Sequence, residues 1–294
     1  MTDTQTHRPR RSVLYMPGSK QRALEKATGL PADALILDLE DAVAPDEKPA
    51  ARDLVMAAVK DAPYGPREVI VRINGLDTEW GRADLEAAAT AAPDAILVPK
   101  VESASMIAEV EAALDAAGTP ASTTIWAMME TPRAMLRAAE IADASPRLAC
   151  LVMGTNDLVK EIDAEHTPAR EPVLAALGLC VLAAKAAGTA IVDGVYNAFK
   201  DDEGLRASCE QGRAMGFDGK TLIHPAQLDI CNRVFAPDEA ALDLASRQVE
   251  AYEQAIARGE AVAVVDGRIV ENLHVATARK LLARAEAIAA MEAA

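Results

Sequence analysis

At 294 residues, with 51% hydrophobic side chains drawn mostly from Ala, Leu and Val, the chain has enough apolar material for one large α/β core and some additional elements. A formal net charge of -15, with no dense stripe of Lys and Arg, excludes nucleic acid as a partner, because a phosphate backbone needs a basic surface. No apolar run approaches the roughly 18–20 residues that span a bilayer, and MTDTQTHRPRR carries no apolar signal segment, so a cytoplasmic protein is expected.

SVLYMPGS (12–19) reads as a strand stopped by Pro17-Gly18, with Ser19 capping a helix KQRALEKA (20–27) that carries Leu24 and Ala27 on one face. ALILDLEDAV (34–43) is a buried strand ending in acids. Its helix is DEKPAARDLVMAAVK (46–60), with acids at the end where the helix dipole favours them. EVIVRING (68–75) and a helix around ADLEAAATAA (83–92) repeat the pattern. AILVPKVES (95–103), TTIWAMME (123–130), LACLVMGT (148–155), TAIVDGVY (189–196) and KTLIHP (220–225) supply further strands. Between them lie helical segments such as VLAALGLCVLAAKAAG (173–188) and EGLRASCEQGRAMG (203–216), and Thr131-Pro132 opens another. Cys150, Cys180, Cys209 and Cys231 fall within these apolar or helical contexts without CxxC spacing, and read as reduced structural thiols.

Continuous apolar strands alternating with helices demand a parallel sheet covered on its outer face, and about eight such units close a (β/α)8 TIM barrel. An open doubly wound sheet is the alternative. The barrel is preferred because nearly every strand ends in a polar or charged residue, and only closure gathers those ends around one mouth. After Pro225 the rhythm stops: a long helix (236–259), two short strands around an Asp266-Gly267 turn (261–273) and a closing helix (275–293) follow. The expected organisation is a catalytic barrel over 1–235 and a C-terminal helical and β-hairpin lid extension over 236–294.

A barrel would collect Glu40, Asp41, Arg72, Lys100, Glu130, Asp157, Asp193 and His224 at its C-terminal face. Buried strand-end carboxylates are costly unless paired. Mg2+ prefers oxygen ligands and typically takes one or two protein carboxylates, a requirement that Glu130 and Asp157 meet, with Glu40 and Asp41 holding metal-bound waters. Zn2+ is disfavoured, because no His/Cys cluster accompanies the acids. The competing reading is that these acids only cap helices or pair with arginines, and Asp193 in VDGVY could belong to a turn alone. Arg72 at the end of VRING suits a substrate carboxylate or a developing enolate oxygen, with a salt bridge to Glu40 or Asp41 as the plainer role. Lys100 in VPKVE is similarly placed but less specific. Lys20, Arg22 and Lys26 form a basic cluster fit for a nucleotide phosphate, although a solvated helix face looks the same. No Ser or Cys sits in a nucleophile elbow.

RSVLYMPGS, LDLEDAVAPDEKPAAR, VRING, ILVPKVE, METPRA, VMGTNDL and GKTLIHPAQL resemble, in order and over almost the whole chain, the citrate lyase beta-subunit-like branch of the HpcH/HpaI aldolase superfamily. The resemblance implies a (β/α)8 barrel assembled as a homotrimer or homohexamer. It implies Mg2+ on Glu130 and Asp157, Arg72 on the substrate oxygens, and a CoA site built from the basic first helix (Lys20, Arg22, Lys26) and the segment containing His224 and Pro225. The implied reaction is C–C cleavage of a 3-hydroxyacyl-CoA such as (S)-malyl-, citramalyl- or citryl-CoA, giving acetyl-CoA and a 2-oxo acid.

In many lyases of the family the neighbouring subunit's C-terminal lid carries an acid/base Asp in a Gly-Lys-Met-Ile-Asp-like segment, and the matching place here reads Gly267-Arg268-Ile269-Val270-Glu271. Glu271 is one methylene longer, and small displacements of a catalytic group change rates greatly. Should Glu271 instead position a water, the same site would hydrolyse the thioester. GRIVENLHV and DGVYNAF are similar to the (3S)-malyl-CoA thioesterases of this family, so malyl-CoA hydrolysis is the alternative to C–C cleavage. A citrate lyase beta subunit acting with an acyl-carrier partner is a third reading. His274, beside the lid, is read as a packing residue before a catalytic one.

Overall fold

The computed structural model describes residues 8–293. They divide into two compact units, Arg10–Phe235 and a second that takes in the chain from Ala236 onward. In the first, eight parallel strands pair in sequence order and close: β1 (Ser12–Pro17), β2 (Ala34–Asp38), β3 (Glu68–Arg72), β4 (Ala95–Val98), β5 (Thr124–Met129), β6 (Leu148–Met153), β7 (Ala190–Asp193) and β8 (Gly219–Leu222). The barrel expectation holds, and the open sheet is excluded by the β1–β8 pairing, with Val13 opposite Thr221.

Because successive strand side chains face opposite ways, each apolar run splits into two cores. Ile36, Ile70, Leu97, Trp126 and Val152 fill the barrel interior, while Leu35, Leu37, Val71, Ile96 and Leu151 pack under the surrounding helices. The inward positions of three strands continue upward as Asp38, Arg72 and Glu130, so the same period of two that builds the core delivers charge to its upper end.

Two local expectations fail. Ser19 does not cap the first helix: Gly18 N–H is tied to Asp38 O at 2.9 Å, and the turn runs one residue further. Lys20 therefore takes the cap position before helix Gln21–Ala27, and Ser19 Oγ is buried without a partner among the described residues. The βα rhythm also continues past Pro225, because helix Leu228–Phe235 turns Leu228, Ile230, Cys231, Val234 and Phe235 inward and packs against β1 and β8.

In the second unit, helix Glu239–Ala257 is capped by Asp238, whose carboxylate accepts from Ala241 N at 2.7 Å. Strands β9 (Ala263–Val265) and β10 (Arg268–Val270) form the anticipated hairpin, with positive φ at Asp266 (50°) and Gly267 (74°) as a two-residue turn requires. Helix Asn272–Glu292 closes the chain, and Ala255, Ala263, Val265, Val270 and Val275 form this unit's own small core.

Candidate active site

The β2–β3 register sets Asp38 directly opposite Arg72. The Arg72 fork donates from Nε and Nη2 to the two Asp38 oxygens, each at 2.6 Å, a bidentate pair buried on both sides. Nη1 turns toward Glu40 at 2.8 Å and Asp41 at 3.3 Å, and the guanidinium lies 4.8 Å from the centre of the Tyr15 ring. Burial works against the Arg72 charge, but Asp38 and its neighbours outweigh that penalty and hold its pKa well above the ordinary value. Asp38 also accepts from the amides of Glu40 (2.9 Å) and Ala42 (3.1 Å), which fixes the loop carrying Glu40 and Asp41. Glu40 titrates high, at about 8, chiefly through burial, although Arg72 pulls it down.

Across the mouth, Glu130 follows β5 and is 2% exposed. Its Oε1 accepts from the amide of Lys100 at 2.8 Å, and Lys100 reaches that position with φ of 48°, a left-handed conformation rare for a side chain of its size. Its other oxygen packs against Gly154, where a Cβ would collide with the carboxylate, so a residue without one is needed there. Burial foremost, with the charge of Asp157 adding to it, raises Glu130 to about 7. Asp157 stands in the first turn of helix Thr155–Glu161. Burial lowers the Lys100 pKa, and the charges of Asp157, Glu40, Glu130 and Asp41 more than reverse this.

Tyr15, Asp38, Asp41, Arg72, Glu130 and Asp157 share the wall of one cavity of about 400 Å3 at the C-terminal end of the barrel. Among the described residues no group of three or more His, Cys, Asp and Glu gathers as a metal cluster. Glu130 and Asp157 would thus be the whole protein share of a cation site. Two carboxylates, one buried and with its ionisation suppressed, suit a hard divalent ion that keeps waters and takes substrate oxygens.

Other anticipated residues lie elsewhere. Asp193 is fully buried and held by Lys220 Nζ at 2.9 Å and Arg170 Nη1 at 2.7 Å; despite burial, these cations keep its pKa below the ordinary range. Lys20, Arg22 and Lys26 lie on an exposed helix face, with Lys20 3.6 Å from Glu47. His224 stacks on Phe199 (4.6 Å between centroids) and its Nδ1 accepts from Ala226 N, so His224 and Pro225 form a short helical turn after β8. Glu271 is exposed and caps helix Asn272–Glu292, with His274 Nδ1 accepting from its amide at 3.1 Å; His274 thus has a capping role.

Asp38 and Tyr15 also line the cavity, although neither stands out in the sequence as the strand-end acids do. Their signal was the alternation that puts residues 13 and 15 on one face of β1 and residues 34, 36 and 38 on one face of β2.

Residues 11–225 match the family described as HpcH/HpaI aldolase/citrate lyase. The chain belongs to this family. Within the HpcH/HpaI family it is 64% identical, over 97% of its length and 98% of the relative's, to the (3S)-malyl-CoA thioesterase of Cereibacter sphaeroides. It is 37% identical to citrate lyase subunit beta of Escherichia coli, over 95% of this chain and 94% of that one. The CitE protein of Mycobacterium tuberculosis, in a crystal structure with magnesium, acetoacetate and coenzyme A, aligns at 31% identity and a TM-score of 0.73, covering 94% of this chain and 97% of that one. A citrate lyase of Burkholderia xenovorans superposes with a TM-score of 0.81 at 21% identity, over 95% of this chain and 92% of that one, a likeness of fold.

Proposed function

We propose that this protein hydrolyses the thioester of (3S)-malyl-CoA to malate and CoA, using Mg2+ held by Glu130 and Asp157. The observation that carries this reading is the 64% identity to thioesterases of that name, which extends over 97% of the chain. C–C cleavage, the first expectation from the motifs, draws on relatives named citrate lyase at 37% identity, as does the subunit reading, and both rank behind hydrolysis.

Glu130 and Asp157 would hold the Mg2+, which would supply Lewis-acid charge toward the oxygens of the malyl group. Arg72, fixed by Asp38, keeps one edge of its fork toward the mouth and offers preset positive charge to an oxyanion. Asp41, whose side chain is 72% exposed, is the partner of Arg72 best able to exchange for a substrate oxygen. Glu40 and Asp41 also orient water at the mouth, and Glu271, brought by the lid of a neighbouring subunit, is assigned the proton from the attacking water. The cations Lys20, Arg22 and Lys26, with His224 and Pro225, are assigned to the CoA moiety.

Incubating the purified protein with (3S)-malyl-CoA and Mg2+ tests the reading. The expected products are free malate and CoA in equal amounts, with Glu271→Gln slowing their release by about 10²-fold or more. Glyoxylate and acetyl-CoA without malate would overturn hydrolysis in favour of C–C cleavage. Turnover only with an acyl-carrier protein would favour the subunit reading.

A further inference from the structure

Lys48 is the first residue of helix Lys48–Asp61 and is 7% exposed. An ammonium group there is doubly unfavourable, since burial strips its water and the helix N-terminus carries positive partial charge. Its pKa is lowered, burial being the largest cause. Its hydrogen bonds go to three uncharged oxygens, Leu39 O at 3.0 Å, Glu40 O at 2.8 Å and Asn74 Oδ1 at 2.6 Å, while the charges of Asp38, Glu40, Asp84 and Asp41 and the Trp80 ring, 5.1 Å away, offset part of the burial cost. The Asn74 amide group donates in turn to Leu39 O at 2.9 Å and to Asp84 at 2.6 Å, and Asp84 accepts from Arg52 Nε at 2.6 Å.

The segment Leu39–Ala42 is therefore gripped from two sides. Asp38 takes the amides of Glu40 and Ala42, and Lys48 takes the carbonyls of Leu39 and Glu40. With both carbonyls drawn toward the helix layer, the carboxylates of Glu40 and Asp41 are left facing Arg72.

We infer that Lys48 is a positioning residue, whose hydrogen bonds to Leu39 O and Glu40 O, and to Asn74, which itself donates to Leu39 O, hold the Leu39–Ala42 segment so that Glu40 and Asp41 meet Arg72 at the cavity mouth. Lys48 does not touch the cavity and acts through the loop.

The test has two arms on the full-length protein. Backbone hydrogen exchange is measured across the chain for wild type, Lys48→Met and Lys48→Gln, the latter keeping a neutral donor. Exchange at Leu39–Ala42 should rise about 10-fold or more in Lys48→Met and less in Lys48→Gln, with protection of the β-strands unchanged. Unchanged exchange in this segment, or loss of protection throughout the barrel in both variants, overturns the inference. The second arm rests on the proposed hydrolysis: kcat should fall about 10–100-fold while KM changes little. Combining Lys48→Met with Asp41→Asn should cost less than the product of the single effects, and independent effects would overturn action through the loop. A wild-type enzyme inactive on malyl-CoA would break the functional reading, and the exchange arm would still decide the role of Lys48.

Discussion

The two sides of the barrel mouth handle buried charge in opposite ways. At the β2–β3 corner, Arg72 meets Asp38, Glu40 and Asp41 within 3.3 Å, and Lys48 braces the loop from behind, so the carboxylates there have their cations built in. At the β5–β6 corner, Glu130 and Asp157 share a cavity wall, Glu130 accepts from the Lys100 backbone amide, and the charge of Lys100 acts on both acids without an ion pair of the Arg72–Asp38 kind. Burial raises the Glu130 carboxyl to about 7, and it raises Glu40 at the paired corner to about 8 as well, so the corners differ in their partners and not in the direction of this shift. The paired corner holds its cation in a fixed direction, and the other corner is the one proposed to hold Mg2+.

The sharpest break of this contrast comes from exchanging a carboxylate at the unpaired corner. Glu130→Gln should lower Mg2+-dependent turnover by about 10³-fold or more while leaving the thermal midpoint the same or higher, since a buried carboxylate is removed. Full activity in excess chelator, or in the variant, would remove the metal assignment. At the paired corner the expected loss is first of stability. Asp38→Asn leaves Arg72 buried without its bidentate partner and should cost about 3–5 kcal/mol, read by denaturant unfolding; a loss below about 1 kcal/mol would put Arg72 in the class of weakly coupled surface charges.

The smallest effect concerns pH. The Glu130 carboxyl lies at about 7 in the folded barrel against an ordinary 4.5, so the native state holds its proton more tightly than the unfolded chain does. The stabilising contribution is complete below about 4.5 and is lost as pH rises through about 7, and Glu40 extends the loss to about 8. In chelator the thermal midpoint should therefore fall across this range, and Mg2+ should raise it more at the alkaline end than at the acid end. A midpoint indifferent to Mg2+ at every pH would remove the Mg2+ assignment at the β5–β6 corner.

Much of this was legible in the chain. ALILDLED and TTIWAMME announce buried strands that end in acids, and repetition of that unit fixes a barrel, because period-two burial and strand-end polarity are local properties of the sequence. Glu130, Asp157 and Arg72 were legible for the same reason. Asp193 was not: it ends β7 as Asp38 ends β2, yet Arg170, from an earlier loop, and Lys220, from β8, bury it in an ion-paired cluster.

The sequence by itself determined which residues lie inward and which strands end in charge. Only the tertiary structure decided who pairs with whom: that Asp38 rather than Glu40 or Asp41 takes the Arg72 fork, that Lys48 grips two carbonyls nine and eight residues before it, and that Lys100 lends its amide to Glu130. The reason is physical. Side-chain direction along a strand is set residue by residue, whereas cross-strand partners depend on the register at which the whole sheet closes, a property of all eight strands together.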